Sequence, residues 1–182
     1  MIVIGLLGAI ALIVIAAINP IEQANRARDT RFKADAGQLI SAIDRYFAAN
    51  NEFPWMTETS SLTADSALTF VSAATSSIGL CLAGANCPGD GYLISTNELK
   101  TEFRNRDFID ATTAMEKIWV GKAAGASASV YACYVPLSKS ERAKSENLVN
   151  LTFDSTTGAP TTCTAPTGTW TDVNSCYVCL PQ

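Results

Sequence analysis

The hydrophobic pattern divides the first fifty residues of the chain into two helical halves. Residues 1–18, MIVIGLLGAIALIVIAAI, carry no charge and are long enough to enter or just span a bilayer. Over residues 21–47 the apolar positions recur at roughly helical spacing, which predicts an amphipathic helix that ends near Asn50. Because proline opposes helical backbone at and just before its own position, we expect a kink or a stretched backbone at Asn19 and Pro20.

Strand patterns occur in the last third of the chain, where β-branched and aromatic residues cluster. They predict strands at 118–120, 129–135, 148–153 and 177–180, with GKAAGAS as the hairpin loop between the first two. The remaining segments predict a long irregular connection over 55–100, a short helix at 97–107 starting on Asn97, and turns over 154–175.

These elements predict an α+β fold, in which a long N-terminal helix packs on a small antiparallel sheet. We divide the chain into an apolar membrane or filament-core helix at 1–20, an amphipathic half at 21–54 and a disulfide-bonded head at 55–182. Taken as one helix, residues 1–49 would be about 70 Å long. One small head cannot cover that length, so lipid or other copies of the chain must cover part of it.

Charge and composition restrict the functional classes. Of the formal charge of −4, residues 50–182 carry −5, which argues against a dedicated nucleic-acid surface on the head. The chain has no histidine, which removes histidine-based nucleophilic sites and most zinc sites. No other catalytic constellation is visible, so we expect neither an enzyme nor a cofactor or metal.

Six cysteines, all in the head, predict disulfides and an oxidising compartment. Six cysteines allow fifteen pairings. We favour Cys81–Cys87 as a short loop, with the other four pairing among themselves and joining Cys133 to the tail cysteines Cys163, Cys176 and Cys179. The alternative is free buried thiols. Cys176 and Cys179 have CxxC spacing, but no thioredoxin-like pattern or second CxxC accompanies them, so we interpret them as structural.

Taken by itself, the first segment has two possible interpretations, a cleavable signal peptide and a simple transmembrane anchor. A cleavable signal peptide is disfavoured by the missing basic region, the length of the apolar run and the lack of a good cleavage site. A simple transmembrane anchor remains open. The basic group after it, Arg26 to Lys33, would then place the head in the cytoplasm by the positive-inside rule, whereas the cysteines indicate the opposite side.

The stretch VIGLLGAIALIVIAAINPIEQANRARDTRFKADAGQLISAIDRYFAANNEFP resembles the N-terminal helix of bacterial type IV pilins and of type II secretion pseudopilins. The resemblance covers about 54 residues, under a third of the chain. It rests on the apolar run, Ile18-Asn19-Pro20, the small and charged residues that follow, and the closing Asn50 to Pro54.

The family pattern has a leader peptide and a glutamate at the fifth mature position, and this sequence has neither; Gly5 stands at position 5. We expect about six mature residues to precede Met1. The alternative is that Met1 is the mature start and the subunit lacks the glutamate, as in a few tip-located pseudopilins.

The resemblance implies a structural subunit of an extracellular type IV pilus, the major pilin, that is held in the inner membrane before assembly. Its partners would be further copies of itself, the inner-membrane assembly machinery and the leader peptidase, and its roles adhesion, surface motility or DNA uptake. The alternatives are a type II secretion pseudopilin and a membrane-tethered extracytoplasmic binding protein that does not polymerise.

The resemblance also assigns residues to the assembly. Asn19 and Pro20 would form the helix kink. The filament core would contain Ile2, Ile4, Gly5, Leu6, Leu7, Gly8, Ala9, Ile10, Leu12, Ile13, Ile15 and Ile18. Charged residues that could pair between subunits are Glu22, Arg26, Arg28, Asp29, Arg31, Lys33 and Asp35.

Overall fold

The structure is a computed structural model that describes residues 3–8, 10, 19–56, 67–83, 87–125 and 127–182. It has an α+β fold, in which a long helix near the N-terminus packs on a four-stranded antiparallel sheet. The predicted combination of a long helix with a small antiparallel sheet is therefore confirmed.

Helix α1, Pro20–Asn50, begins and ends at the residues that helix chemistry favours. Asn19 is the N-cap: its backbone is extended, and its side chain accepts a hydrogen bond from the Glu22 N–H. Pro20 occupies the first turn, where its missing N–H costs nothing. At the other end Asn51 adopts the left-handed conformation and its N–H donates to the Phe47 carbonyl. The stretched backbone predicted at Asn19 is confirmed.

The prediction of one long helix over residues 1–49, interrupted by a stretched backbone at the proline, is tested only at Asn19, where the extended backbone caps α1. The reason is local: Pro20 cannot donate to a preceding turn and disfavours helical backbone at Asn19. Residues 3–8 and 10 are helical, and residues 11–18 lie outside the described part of the chain.

The main sheet has the strand order β1-β2-β3-β6 and is antiparallel throughout. Its strands are β1 Leu68–Ser72, β2 Ile118–Lys122, β3 Val130–Tyr134 and β6 Val178–Leu180. The β2–β3 hairpin and the last strand confirm the sequence prediction. Helix α1 crosses one face of this sheet, against β3 and β6.

A second, two-stranded sheet lies against the other side of the first. It consists of β4, Val149–Phe153, and β5, Pro160–Thr162. Phe153 stacks on Phe70 of β1, with ring centroids 4.5 Å apart. The Phe70 ring also lies directly over Gly121, where an added Cβ would be 2.7 Å from the ring. Gly121 is therefore needed for the close approach of this aromatic side chain.

Three disulfides connect all six cysteines. Cys81 pairs with Cys87, Cys133 with Cys179 and Cys163 with Cys176. The favoured short loop and the link from Cys133 to the tail are confirmed. Cys133 and Cys179 are register partners on β3 and β6, so their bond joins neighbouring strands. A cross-link between residues 46 positions apart removes chain entropy from the unfolded state, worth about 4 kcal/mol in the loop-closure account.

Three sequence predictions in the head are wrong. The segment 55–100, expected to be irregular, contains β1 and the short helix α2, Tyr92–Ser95. A helix starting at Asn97 is absent: Asn97 has a φ of 63°, and a 3₁₀ turn follows at Thr101–Asn105. The segment 154–175 contains β5. These strands lie in Ser-, Thr- and Ala-rich sequence, where pairing with a neighbour decides the conformation.

Candidate functional site

The candidate site is the N-terminal region, because it carries the residues to which the sequence assigned a role. Its first part is the apolar stretch, defined as residues 3–8 and 10. These residues are helical, and their large side chains are exposed: Ile4 by 73 %, Leu7 by 63 % and Ile10 by 50 %. An added Cβ at Gly5 or Gly8 would meet no atom within 4 Å. The rest of the described chain therefore leaves this stretch uncovered.

Part of the predicted filament core cannot be placed. Its members Ile4, Gly5, Leu6, Leu7, Gly8 and Ile10 are among the described residues, and Ile2, Ala9, Leu12, Ile13, Ile15 and Ile18 lie outside them. Across the described ranges, no helix combines the length and the apolar character that crossing a bilayer requires.

The second part is the buried side of α1, which forms the centre of the head's core. Leu39 and Ile43 are completely buried, and Phe32 and Tyr46 nearly so. Phe32 contacts two aromatic rings of the head, Tyr134 on β3 at 6.0 Å and Phe108 at 6.3 Å between centroids. Burying a large apolar side chain contributes about 1.5–3 kcal/mol, so this half of the helix is held firmly to the sheet.

Carboxylates on the first turns of α1 hold a distant loop of the head. Asp29 is 3 % exposed, and its side chain accepts hydrogen bonds from the backbone N–H groups of Leu137 and Ser138, at 2.8–3.1 Å. Two turns earlier, Glu22 accepts from the Lys139 N–H at 3.1 Å. That backbone donor lowers the pKa of the Glu22 carboxyl below its ordinary value.

Arginines of α1 also donate into the head. Arg28 donates to the carbonyl of Met115 at 2.6 Å and to that of Val135 at 3.2 Å. Its guanidinium lies 4.1 Å from the centre of the Phe32 ring. Burial lowers the pKa of Arg28, and the neighbouring Asp29 carboxylate opposes that shift. The Arg28 side chain therefore fixes the helix to two loops at once.

A second charged cluster lies further along the same helix. Arg31 forms an ion pair with Asp107, and the buried Asp35 carboxylate lies 3.7 Å from the Arg106 guanidinium. Burial raises the pKa of Asp35, and Arg106 offsets part of that rise. Lys33 is exposed and forms no ion pair with any residue that the structure describes.

The structure thus engages six of the seven predicted pairing residues within one chain. Arg26 pairs with Glu22 at 3.1 Å, and the contacts of the others are those above. Pairing of these residues between copies stays a prediction, and any such pairing competes with the contacts inside the chain. The partners on the head, among them Arg106, Asp107 and the 137–139 loop, were not identified from the sequence. One sequence signal for this loop was visible: residues 138–141, SKSE, form a capping pattern that marks the start of a helical turn at Ser138.

The remaining face of α1 is exposed and carries small side chains at regular intervals. Residues spaced seven apart lie on nearly the same side of a helix. We define the small-residue line by its four exposed members: Ala27, Ala34, Ser41 and Ala48. Small side chains allow another helix to approach closely.

The N-terminal region thus provides two exposed surfaces that another molecule can contact, the apolar stretch and the small-residue line. Within the described ranges, no group of three or more Cys, Asp or Glu residues could hold a metal ion.

Comparisons of the chain with protein-family models, with curated proteins and with solved structures found no match.

Proposed function

We propose that this chain is a structural subunit of a helical filament of the type IV pilus kind, assembled through its N-terminal region. The observation that carries the proposal is the contrast within that region. The apolar stretch is exposed, whereas α1, which begins at Pro20, is fixed to a disulfide-bonded head. A contiguous exposed apolar surface is typical of a surface that another molecule covers.

Two coverings suit the apolar stretch, and the proposal uses both in turn. Lipid covers it while the subunit waits in the inner membrane, and neighbouring subunits cover it in the filament. Because lipid tails and packed helices are similarly apolar, moving from one to the other is not strongly opposed. Leader peptidase and the inner-membrane assembly machinery would supply processing and extraction. The finished filament would lie outside the cell.

The small-residue line supports packing between copies. Helix α1 has 31 residues and is therefore about 46 Å long. The line runs along most of that length on the side away from the sheet, from Ala27 to Ala48. An interface of this kind gains its energy from close van der Waals packing of backbones at the small residues.

The experiment introduces the same residue, arginine, at two exposed positions, one on the small-residue line and one on the head. Ala27→Arg puts a large cation on the small-residue line, and Val173→Arg puts it on the head, where the side chain is 96 % exposed. Neither change removes a buried contact, so both proteins should fold and keep their disulfides. We expect cells with Ala27→Arg to yield at least about tenfold less sheared filament than wild type, because a cation cannot be desolvated between helices.

Val173→Arg should yield filaments in wild-type amounts. Filament mass is measured by pelleting the sheared fraction and blotting for the chain, with non-reducing gels as the check on folding. Equal yields from the two variants, or no filament from the wild type, would contradict the proposal. In the latter case a membrane-tethered binding protein that does not polymerise becomes the leading account.

A further inference from the structure

A cleft of about 480 Å³ lies at the end of α1 that is distant from the apolar stretch. Residues Pro54 to Met56 form one wall, directly after the helix. The turn at Ser76 and Ser77 and the first residues of the Cys81–Cys87 loop form the second. Helix α2, with Tyr92 and Ser95, forms the third. A volume of this size is in the range of small-ligand sites.

The backbone around the cleft is fixed before any ligand binds. The Leu93 N–H donates to the Gly79 carbonyl at 2.8 Å, and the Gly91 N–H donates to the Leu80 carbonyl at 3.1 Å. Gly91 approaches Gly79 so closely that an added Cβ would be 2.3 Å from the Gly79 oxygen. The Cys81–Cys87 disulfide closes the neighbouring loop. A preformed site loses less entropy when a ligand binds.

Aromatic and apolar side chains in the cleft are exposed, although removing their apolar surface from water would be favourable. Tyr92 is 59 % exposed and Leu82 is 70 % exposed. The Tyr92 ring packs against the Tyr46 ring of α1, with ring centroids 6.5 Å apart. Trp55, which also lines the cleft, stacks on the buried Phe53 ring at 4.7 Å. The two aromatic rings in the lining are thus oriented by contacts with the core.

Polar groups lie beside these rings. The described lining includes the hydroxyls of Ser76, Ser77 and Ser95, and its one charged side chain is the Asp90 carboxylate. That carboxylate lies 3.1 Å from the Arg104 guanidinium, which fixes its position. Hydroxyls donate and accept hydrogen bonds, and a carboxylate accepts two or more. The described lining thus combines apolar ring faces with hydroxyl-binding groups, and the cation nearest its carboxylate, Arg104, is already paired with Asp90.

We propose that this cleft binds a neutral saccharide. A sugar ring has an apolar C–H face that packs on an aromatic ring, and a rim of hydroxyls that hydrogen-bond to serines and a carboxylate. An extended peptide fits less well, because the lining residues lie in turns, loops and α2, where no open strand edge is offered for pairing. The proposal does not depend on filament assembly, since every residue of the cleft belongs to one chain.

The test uses the full chain purified in a zwitterionic detergent without a sugar headgroup, so that the detergent does not compete. A glycan array with neutral and sialylated members is the first probe. We expect binding to neutral glycans in preference to sialylated ones, because the one carboxylate in the lining is already paired with Arg104 and a sialic-acid carboxylate would lose hydration without gaining a cationic partner. Binding of sialylated glycans alone, or of no glycan above background, would overturn the proposal.

Variants then locate the binding. Affinity for the best neutral glycan is measured by titration of tryptophan fluorescence. Tyr92→Ala should weaken it about tenfold and Tyr92→Phe should leave it within about threefold, because the ring face carries the contact. Leu82→Ala, also in the cleft, is the second variant in case Tyr92→Ala fails to fold. Val173→Ala, outside the cleft, is the matched control. Tyr92→Ala and Leu82→Ala proteins that fold and bind like this control would overturn the proposal.

Discussion

The apolar stretch and the buried side of α1 are both helical and both contain large aliphatic residues, yet their surroundings are opposite. Leu7 is 63 % exposed, whereas Leu39 is completely buried against the sheet. The difference lies in what the rest of the chain can reach. The head buries side chains of α1 from Asp29 onward and also contacts Glu22 and Arg28, whereas it leaves the apolar stretch uncovered. One chain thus separates the surface that folds it from a surface available for association.

The largest expected effect comes from truncating one leucine in each region. Leu39→Ala should lower the free energy of unfolding of the head by about 2–5 kcal/mol, because it leaves a cavity in the core. Leu7→Ala should change it by less than about 0.5 kcal/mol, because the side chain contacts little of its own chain. Urea unfolding of the full chain in detergent, followed by tryptophan fluorescence, measures both. Similar losses from the two variants would show that the apolar stretch is part of the folded core.

A smaller effect separates two charged residues four positions apart on α1. Asp29→Asn should cost about 1.5–3 kcal/mol, because the buried carboxylate accepts the N–H groups of Leu137 and Ser138 and an amide cannot accept them equally well. The exposed Lys33→Gln should stay within about 0.5 kcal/mol. The same unfolding assay applies. If both changes cost the same, the 137–139 loop is not held by α1 as described.

The smallest effect is a pH dependence at Asp35. Burial raises the pKa of Asp35 above its ordinary 3.8, so the folded chain keeps this proton to higher pH than the unfolded chain does. Its contribution to stability is therefore complete below pH 3.8 and is lost as the pH rises through the folded-state pKa. Between about pH 3 and pH 7, wild type should lose stability relative to Asp35→Asn.

The comparison with Asp35→Asn removes other titrations from the measurement. Glu22, whose pKa is lowered, has the opposite sign: its stabilisation is present above its ordinary 4.5 and is lost as the pH falls. Because Glu22 is present in both proteins, its contribution cancels in the difference. If the difference in unfolding free energy between wild type and Asp35→Asn stays constant across the pH series, the assignment of a raised pKa to Asp35 is contradicted.

The elements that could be predicted from the sequence are those with local signals. The spacing of apolar residues predicted α1, and Asn19, Pro20 and the Asn50-Asn51 pair marked its ends. Runs of β-branched and aromatic residues predicted β2, β3, β4 and β6. The short Cys81–Cys87 loop followed from proximity in sequence.

The elements that could not be predicted depend on distant partners. Strand β1 reads as Ser/Thr-rich loop until Val71 and Ser72 pair with β2, almost fifty residues later. Asp29 looks like a solvated helix residue, but its acceptor role depends on a loop 108 residues away. The same is true of Asp35 and Arg106. Sequence periodicity identifies the buried side of a helix, but it does not identify the polar groups that meet it there.

The most direct test of filament assembly is electron cryomicroscopy of filaments sheared from the cells, with helical reconstruction. The account predicts density for this chain in which the apolar stretches of neighbouring copies are bundled at the axis. The small-residue line of α1 should face adjacent helices, and the disulfide-bonded head should lie outside. A chain that is recovered only as a membrane-bound monomer, and that fits no filament density, would contradict it.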